Sequence, residues 1–364
     1  MTHSNQRSAY WDNIKGILML LTVFAHCLYA LQGGSRAIDL IVDRIYMFHM
    51  PVFVFVSGYF GTGARAQSAK TLFRMGFLYL LFQSASGFYY GFSSLLTPLY
   101  SFWYLPAIIV WRLTARYFSR YRYILPILLI ISILIGFFPS IDNTFAVARI
   151  LAFYPYYMVG YLLAEKQHDH PQPQKQLPLG ILAIVLMCTL SQLSDSYFDY
   201  SDKALVMRAY TDPIEALGRL LLILIALSAI LAFRFLIPDR RILPITMFGR
   251  NSLWIFLFHR PFTLLLSKRM LLLDDHLQIG IAVFAALLLC LIFGNDALAR
   301  ILNRYADSAA ELLTGEADSK CIAVKITLSL IAAGYLLILI SAVCFHYNPL
   351  EASGNPFLAA FRKT

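Results

Sequence analysis

Apolar residues along this chain fall in blocks of about 20, separated by short polar stretches. A block of that length spans the hydrocarbon core of a bilayer as an α-helix. The shorter, alternating segments of a transmembrane barrel do not occur in the sequence. Eleven candidate spans follow, at about 14–31, 41–60, 73–92, 102–118, 123–139, 148–164, 178–194, 213–236, 247–266, 277–294 and 321–345. The pattern predicts an all-α, polytopic transmembrane helical bundle of about 10–11 spans, forming one integral membrane domain over residues 1–345. A short tail, 346–364, follows it. The stretch 295–320 reads as a loop too short for an appended domain.

Composition agrees with the blocks. The 364 residues are 59% hydrophobic and 14% charged, against about 25% charged in soluble domains. The net charge of +10 does not point to nucleic acid, because Lys and Arg cluster in short loops. With the N-terminus in the cytoplasm, eighteen of them fall on the inside and seven on the outside. Five more (Arg44, Arg149, Arg219, Arg250 and Arg260) lie within or at the rims of spans. This bias predicts N-terminus in and C-terminus out. The first block follows YWDNIK and leads at once into more spans, so it reads as a retained helix, not a cleaved signal. The five cysteines form no CxxC pattern, and buried thiols behave as small hydrophobes. His168 and His170 have no third ligand nearby in the sequence and read as part of a solvated, Pro/Gln-rich connector; no metal site is expected. No internal repeat of the kind found in many transporters is visible.

Polar residues inside the apolar blocks carry the chemistry. Ionisable groups in hydrocarbon are costly, so they face a protein interior and mark function. His26, His49 and His259 lie in spans one, two and nine, all at mid to outer depth. A lone histidine of this kind serves equally well as an interhelical hydrogen-bond partner, contributing about 0.6–2 kcal/mol. Three at one depth favour a reactive or transport site. Lys15 precedes His26 by eleven residues, about three helical turns, on the same side of one helix. Asp12 stands three residues before Lys15, positioned to pair with it. Asp43 and Arg44 enter span two from the outer side. Pro51 and Pro261 follow His49 and His259 closely and are expected to kink or loosen those helices.

Other features have two readings each. Gly87 and Gly91 form a GxxxG packing motif. Ser57, Gly58, Gly61 and Gly63 read as a tight turn at the end of span two. Lys70 and Arg74, at the cytoplasmic mouth, are topology determinants or lipid contacts, or hold the phosphates of a cytoplasmic donor. Trp103 and Tyr104, at the outer entrance of span four, are belt anchors or a stacking surface for a sugar ring. The polar, aromatic outer loop 195–212 is a candidate entrance.

Taken in order, these motifs resemble the acyltransferase-3 family of integral membrane acyltransferases, in the branch resembling fucose 4-O-acetylases and polysaccharide O-acetyltransferases. The resemblance rests on DNIKGILMLLTVFAH with Lys15 and His26, FHMPVFVFVSGYF with His49, and FWYLP around Trp103. It continues through FYPYYMVGYLL at 153–163 and NSLWIFLFHRP with His259, so that it covers roughly residues 10–265. It implies transfer of an acyl group, usually acetyl from acetyl-CoA, to a hydroxyl of a cell-envelope or exported glycan, at a bacterial inner or plasma membrane. It implies acetyl-CoA as a donor substrate with no tightly bound cofactor. Expected partners are a glycan or lipid-linked sugar, acyl-CoA and membrane lipids. Lys15, His26 and His49 match its functional positions.

Residue chemistry fits that expectation. A neutral imidazole can take the acceptor's proton or carry the acyl group. The expected site has His26 as base or acyl carrier and His49 as its partner. Lys15, Lys70 and Arg74 face the donor phosphates, and Arg44 or Asn251 faces the oxyanion. Asp12, Trp103, Tyr104 and His259 complete the binding candidates. Two other classes remain open on sequence: a transporter or flippase using buried His, Asp and Arg, and a non-catalytic subunit of a glycan machine.

Overall fold

The computed structural model describes residues 8–90, 98–138, 146–166, 176–197, 209–315 and 324–331. Among them the structure is helical and strand-free. The helices are α1 (Ala9–Leu28), α2 (Arg36–Tyr59), α3 (Ala69–Tyr90), α4 (Tyr104–Phe118), α5 (Ile124–Leu134) and α6 (Val147–Lys166). They continue with α7 (Leu177–Tyr197), α8 (Glu215–Leu236), α9 (Ile245–Arg250), α10 (Ser252–Met270), α11 (Asp275–Phe293) and α12 (Asp296–Thr314). A further helical stretch covers 324–331. Among the described residues, six helices (α1 with its 3-10 extension, α2, α6, α7, α8 and α11) are long and apolar enough to cross a membrane. The chain is a multi-pass helical membrane protein.

Two expectations are corrected. Span nine is two helices, because α9 ends at Arg250 and α10 begins at Ser252 after a non-helical Asn251 (φ −108°, ψ 18°). The expected loop 295–320 contains α12. Asn295 caps α12, its side chain accepting from the Ala297 and Leu298 amides, and Gly315 ends it in the left-handed region at φ 70°. These are ordinary start and stop signals. Ala299, Ala306 and Ala310 mark the buried stripe of α12, while Arg300 and Arg304 are exposed.

α1 is the axial element. Its first half (Tyr10, Trp11, Ile14, Leu18) joins a core with α2, α4, α5, α6 and α8. Its second half (Met19, Val23, Cys27, Leu28) joins a second core with α3, α10, α11 and α12. By contrast, Leu182, Val185 and Leu186 on α7 are exposed, as expected of a helix facing lipid.

Glycines set the closest helix crossings. Gly16 of α1 lies against the Ile245 carbonyl, and Gly249 of α9 lies against the Asp12 carbonyl. Gly58 of α2 lies against the Tyr157 carbonyl, and Gly160 of α6 lies against the Phe55 carbonyl. Small residues allow such backbone approach where no hydrophobic force separates helix from lipid. Gly58 therefore serves the α2–α6 seam rather than a turn; it still lies inside α2, which runs to Tyr59. Pro51 and Pro261 sit within α2 and α10, which run on past them.

The end of the bundle where α1 begins, here termed the basal face, is tied together by polar contacts. Asn13 donates to the Pro238 and Arg240 carbonyls at 3.0 and 2.8 Å and accepts from the Thr246 hydroxyl at 2.7 Å. Tyr10 donates its amide to Asp239 (2.9 Å) and its hydroxyl to the Arg234 carbonyl (2.8 Å). These bonds clamp the start of α1 to the α8–α9 connection. Gly91 of the Gly87/Gly91 pair, His168 and His170, most of the outer loop (198–208), most of span eleven and the tail 346–364 lie outside the described residues.

Candidate functional site

Three helices converge on the buried histidines. His26 belongs to the last turn of α1, His49 to the middle of α2 and His259 to the middle of α10. Their exposures are 7%, 3% and 0%. The helical period explains their inward direction. On α2, Val42, Ile45, His49 and Val52 are buried at spacings of three and four. On α10, Ile255, His259 and Thr263 recur at four.

His26 and His259 touch directly. Nδ1 of His26 lies 2.7 Å from Nε2 of His259, and the ring planes differ by 7° with centroids 5.0 Å apart. His259 Nδ1 lies 2.9 Å from the Ile255 carbonyl, one turn back on α10. His49 uses the same device, with Nδ1 2.8 Å from the Ile45 carbonyl. Carbonyls only accept, so the His49 Nδ1 carries a proton, and in the neutral ring Nε2 is the acceptor.

Tyr46 joins the rings. Its edge meets His49 at 5.0 Å and His26 at 5.9 Å between centroids, and its face stacks on Tyr29 at 5.6 Å. The Arg260 guanidinium lies over the Tyr29 ring at 5.6 Å, and Arg149 of α6 lies over Trp103 at 5.8 Å. Arg260 and Arg149 both act electrostatically on Tyr46. On sequence, Arg149 and Arg260 stand out only as basic residues within or at the rims of spans, and Tyr29 and Tyr46 not at all. Signals exist for two of the four: Arg260 adjoins His259, and Tyr46 precedes His49 by about one helical turn.

The remaining candidates lie elsewhere. Lys15 pairs with Asp12 at 2.8 Å and lies over the Phe60 ring at 5.7 Å. Eleven residues of helix set this pair about 16 Å below His26. On the same basal face, Lys70 pairs with Glu311 of α12 at 2.7 Å. Arg74 pairs with Asp307 at 3.0 Å and donates to Asn303 at 2.5 Å. The two basic residues expected at a donor mouth thus sit together, with α12 carboxylates across from them.

Arg44 does not turn toward the histidines; it donates to the Ser191 carbonyl of α7 at 3.0 Å. Asn251 donates to the Gly294 carbonyl (2.7 Å) and to Asp296 (2.6 Å), joining α10 to the α11–α12 connection. Trp103 is buried among Phe153, Trp111 and Tyr104. The Tyr104 hydroxyl meets Ser57 Oγ at 2.5 Å. Trp103 is thus an interior group, and the half-buried Tyr104 packs its ring against Trp103 and Phe256.

Comparison with known proteins gives a consistent picture. The family described as an acyltransferase domain (Acyl_transf_3) matches residues 8–295. The nodulation protein NolL of Sinorhizobium fredii (strain NBRC 101917 / NGR234) is 26% identical over 222 residues, covering 53% of this chain and 60% of that protein. The NolL of Mesorhizobium japonicum (strain LMG 29417 / CECT 9101 / MAFF 303099) is 39% identical over 71 residues, 19% of each chain. The chain thus spans less than two thirds of the curated relatives it matches. No solved structure matches it.

Proposed function

The chain belongs to the acyltransferase-domain family, and from that premise we propose that it is a membrane-embedded O-acyltransferase. It moves an acyl group, acetyl from cytoplasmic acetyl-CoA, to a hydroxyl of a cell-envelope or exported glycan. The observation that carries the reading is the meeting of His26, His49 and His259 from three helices in a buried site. Acyl transfer to a sugar hydroxyl requires removal of its proton as the new bond forms, and a positioned imidazole does this.

In this reading the basal face is cytoplasmic. The donor's phosphates engage Lys70 and Arg74, with Lys15 deeper on the same side, and its thioester arm reaches up along α1 to His26. The acceptor approaches from the opposite face, toward Tyr29 and Tyr46. His26 acts as base or transient acyl carrier, and His49 helps orient the acceptor from α2. The charge that develops on the carbonyl oxygen is met by Arg260, which the residues around His26 favour over Arg44 or Asn251.

The test is acyl transfer by the full chain in lipid nanodiscs, using radiolabelled acetyl-CoA and an envelope glycan extract. The expected result is a labelled glycan, with His26→Ala reducing turnover by about 10²–10⁴-fold. Full O-acetylation by His26→Ala in cells refutes the assignment. Solute uptake without acyl transfer identifies a carrier instead.

A further inference from the structure

The proposed reaction leaves open which nitrogen of His26 is reactive, and what fixes that choice. The geometry points to His259 as the positioning residue that holds His26 in the tautomer protonated at Nδ1, so that Nε2 is the reactive atom. This rests on the acyltransferase reading for its consequence in turnover, but not for the hydrogen-bond chain itself.

The hydrogen-bond chain begins at a backbone carbonyl. Ile255 O, 2.9 Å from His259 Nδ1, can only accept. Nδ1 of His259 therefore carries a proton. With both rings neutral, Nε2 of His259 is then a bare acceptor. It lies 2.7 Å from His26 Nδ1, a distance that requires one proton between them. That proton belongs to His26. Nδ1 of His26 is a donor, and its Nε2 keeps the lone pair. The reverse arrangement would set two lone pairs against each other at His259 Nδ1 and Ile255 O, inside a site where His259 is 0% exposed. Buried polar atoms without a proton between them are costly.

The arrangement is also rigid. Ile255 and His259 lie one turn apart on α10, so the carbonyl and ring are held by one helix. Nearly coplanar rings, 7° apart, keep the N–H in line with its acceptor. Thus α10 contributes orientation, whereas α1 contributes the reacting group. Metal sites and hydrolytic triads use a hydrogen bond at one ring nitrogen in the same way to select the other. Here the acceptor is a second imidazole backed by a carbonyl.

The consequence for the step is specific. The acceptor's oxygen bonds to the acyl carbon while its hydroxyl proton passes to His26 Nε2. The donor's C–S bond breaks, and the departing thiolate takes that proton, returning His26 to its starting tautomer. Throughout, the His26 Nδ1–H stays hydrogen-bonded to His259 Nε2. Loss of the acceptor at position 259 frees His26 to adopt the other tautomer, in which Nε2 is protonated and cannot serve as base.

The test is ¹⁵N NMR of histidine-labelled full chain in nanodiscs, with the His26 signal identified by its loss in His26→Gln. Expected is a His26 ring protonated at Nδ1 and bare at Nε2. His259→Leu moves His26 toward the Nε2-protonated form and lowers kcat about 10²-fold or more, with KM for the donor unchanged. His259→Gln, whose side-chain oxygen reaches the Nε2 position, restores the Nδ1-protonated form and brings kcat to within about tenfold of the parent. A wild-type His26 protonated at Nε2 overturns the inference, as does a folded His259→Leu variant with parental kcat. If His259→Leu does not fold, the wild-type spectrum decides alone. If no acyl transfer is found at all, the spectrum still judges the hydrogen-bond chain separately from the reaction.

Discussion

The α2–α6 seam offers a demanding test, because it links packing to the position of His49. Gly58 and Gly160 each bring a backbone carbonyl of the other helix to where a Cβ would sit. Backbone cannot rotate away as a side chain can, so Gly160→Ala must push α6 from α2. Overpacking of this kind costs about 1–3 kcal/mol. The other side of the seam, α2, carries Tyr46 and His49, so a shift between the two helices reaches the site; misplacement by about 1 Å can cost on the order of 10²-fold in rate. Gly76 on α3 is the internal control, since nothing lies within 4 Å of its added Cβ. There, Ala removes the backbone-entropy cost of glycine and stabilises by about 0.5–1 kcal/mol. SDS titration in mixed micelles would measure stability, and nanodisc turnover would measure activity. The double variant Gly58→Ala/Gly160→Ala should cost less than the sum of the singles, because one methyl already opens the seam. A Gly160→Ala protein as stable as its parent, or a Gly76→Ala protein equally destabilised, would refute the reasoning.

Three further outcomes follow from the same contacts. Asn13→Ala removes three hydrogen bonds at a site 0% exposed and should destabilise by about 1–3 kcal/mol in the same titration. Glu311→Gln loosens a partly exposed pair with Lys70, so stability should change by less than about 1 kcal/mol. The same variant should lower KM for acyl-CoA in steady-state assays; an unchanged or raised KM argues against donor phosphates at Lys70. Arg44→Met, whose side chain faces α7, should leave kcat within about threefold of the parent, whereas His49→Ala should lower it at least tenfold.

Much of this protein was legible along the chain. Blocks of about 20 apolar residues allowed only a helical membrane bundle, because backbone polar groups in hydrocarbon must be satisfied within each segment. The same solvent made His26, His49 and His259 conspicuous, since a polar group there needs a partner. Their similar depth could be counted from helix rise alone. The α12 helix was missed because its apolar face is mostly alanine, which gives little hydropathy signal, although Asn295 and Gly315 marked its ends.

Tertiary structure decided what each polar group faces. Depth along a helix does not give its rotation against a neighbour, so sequence could not separate Arg44, which turns to Ser191, from Arg260, which lies over Tyr29. Nor could it tell that the glycine after Ser57 packs against α6 rather than forming a turn. The pairing of His26 with His259 joins residues 233 apart in sequence. It depends on the break at Asn251, on Gly16 and Gly249 bringing α1 and α9 together, and on the Ile255 carbonyl one turn below. Hydropathy is a one-dimensional property and was readable from the chain. Hydrogen-bond direction between two imidazoles is set by three-dimensional neighbours, and only the packed bundle supplies them.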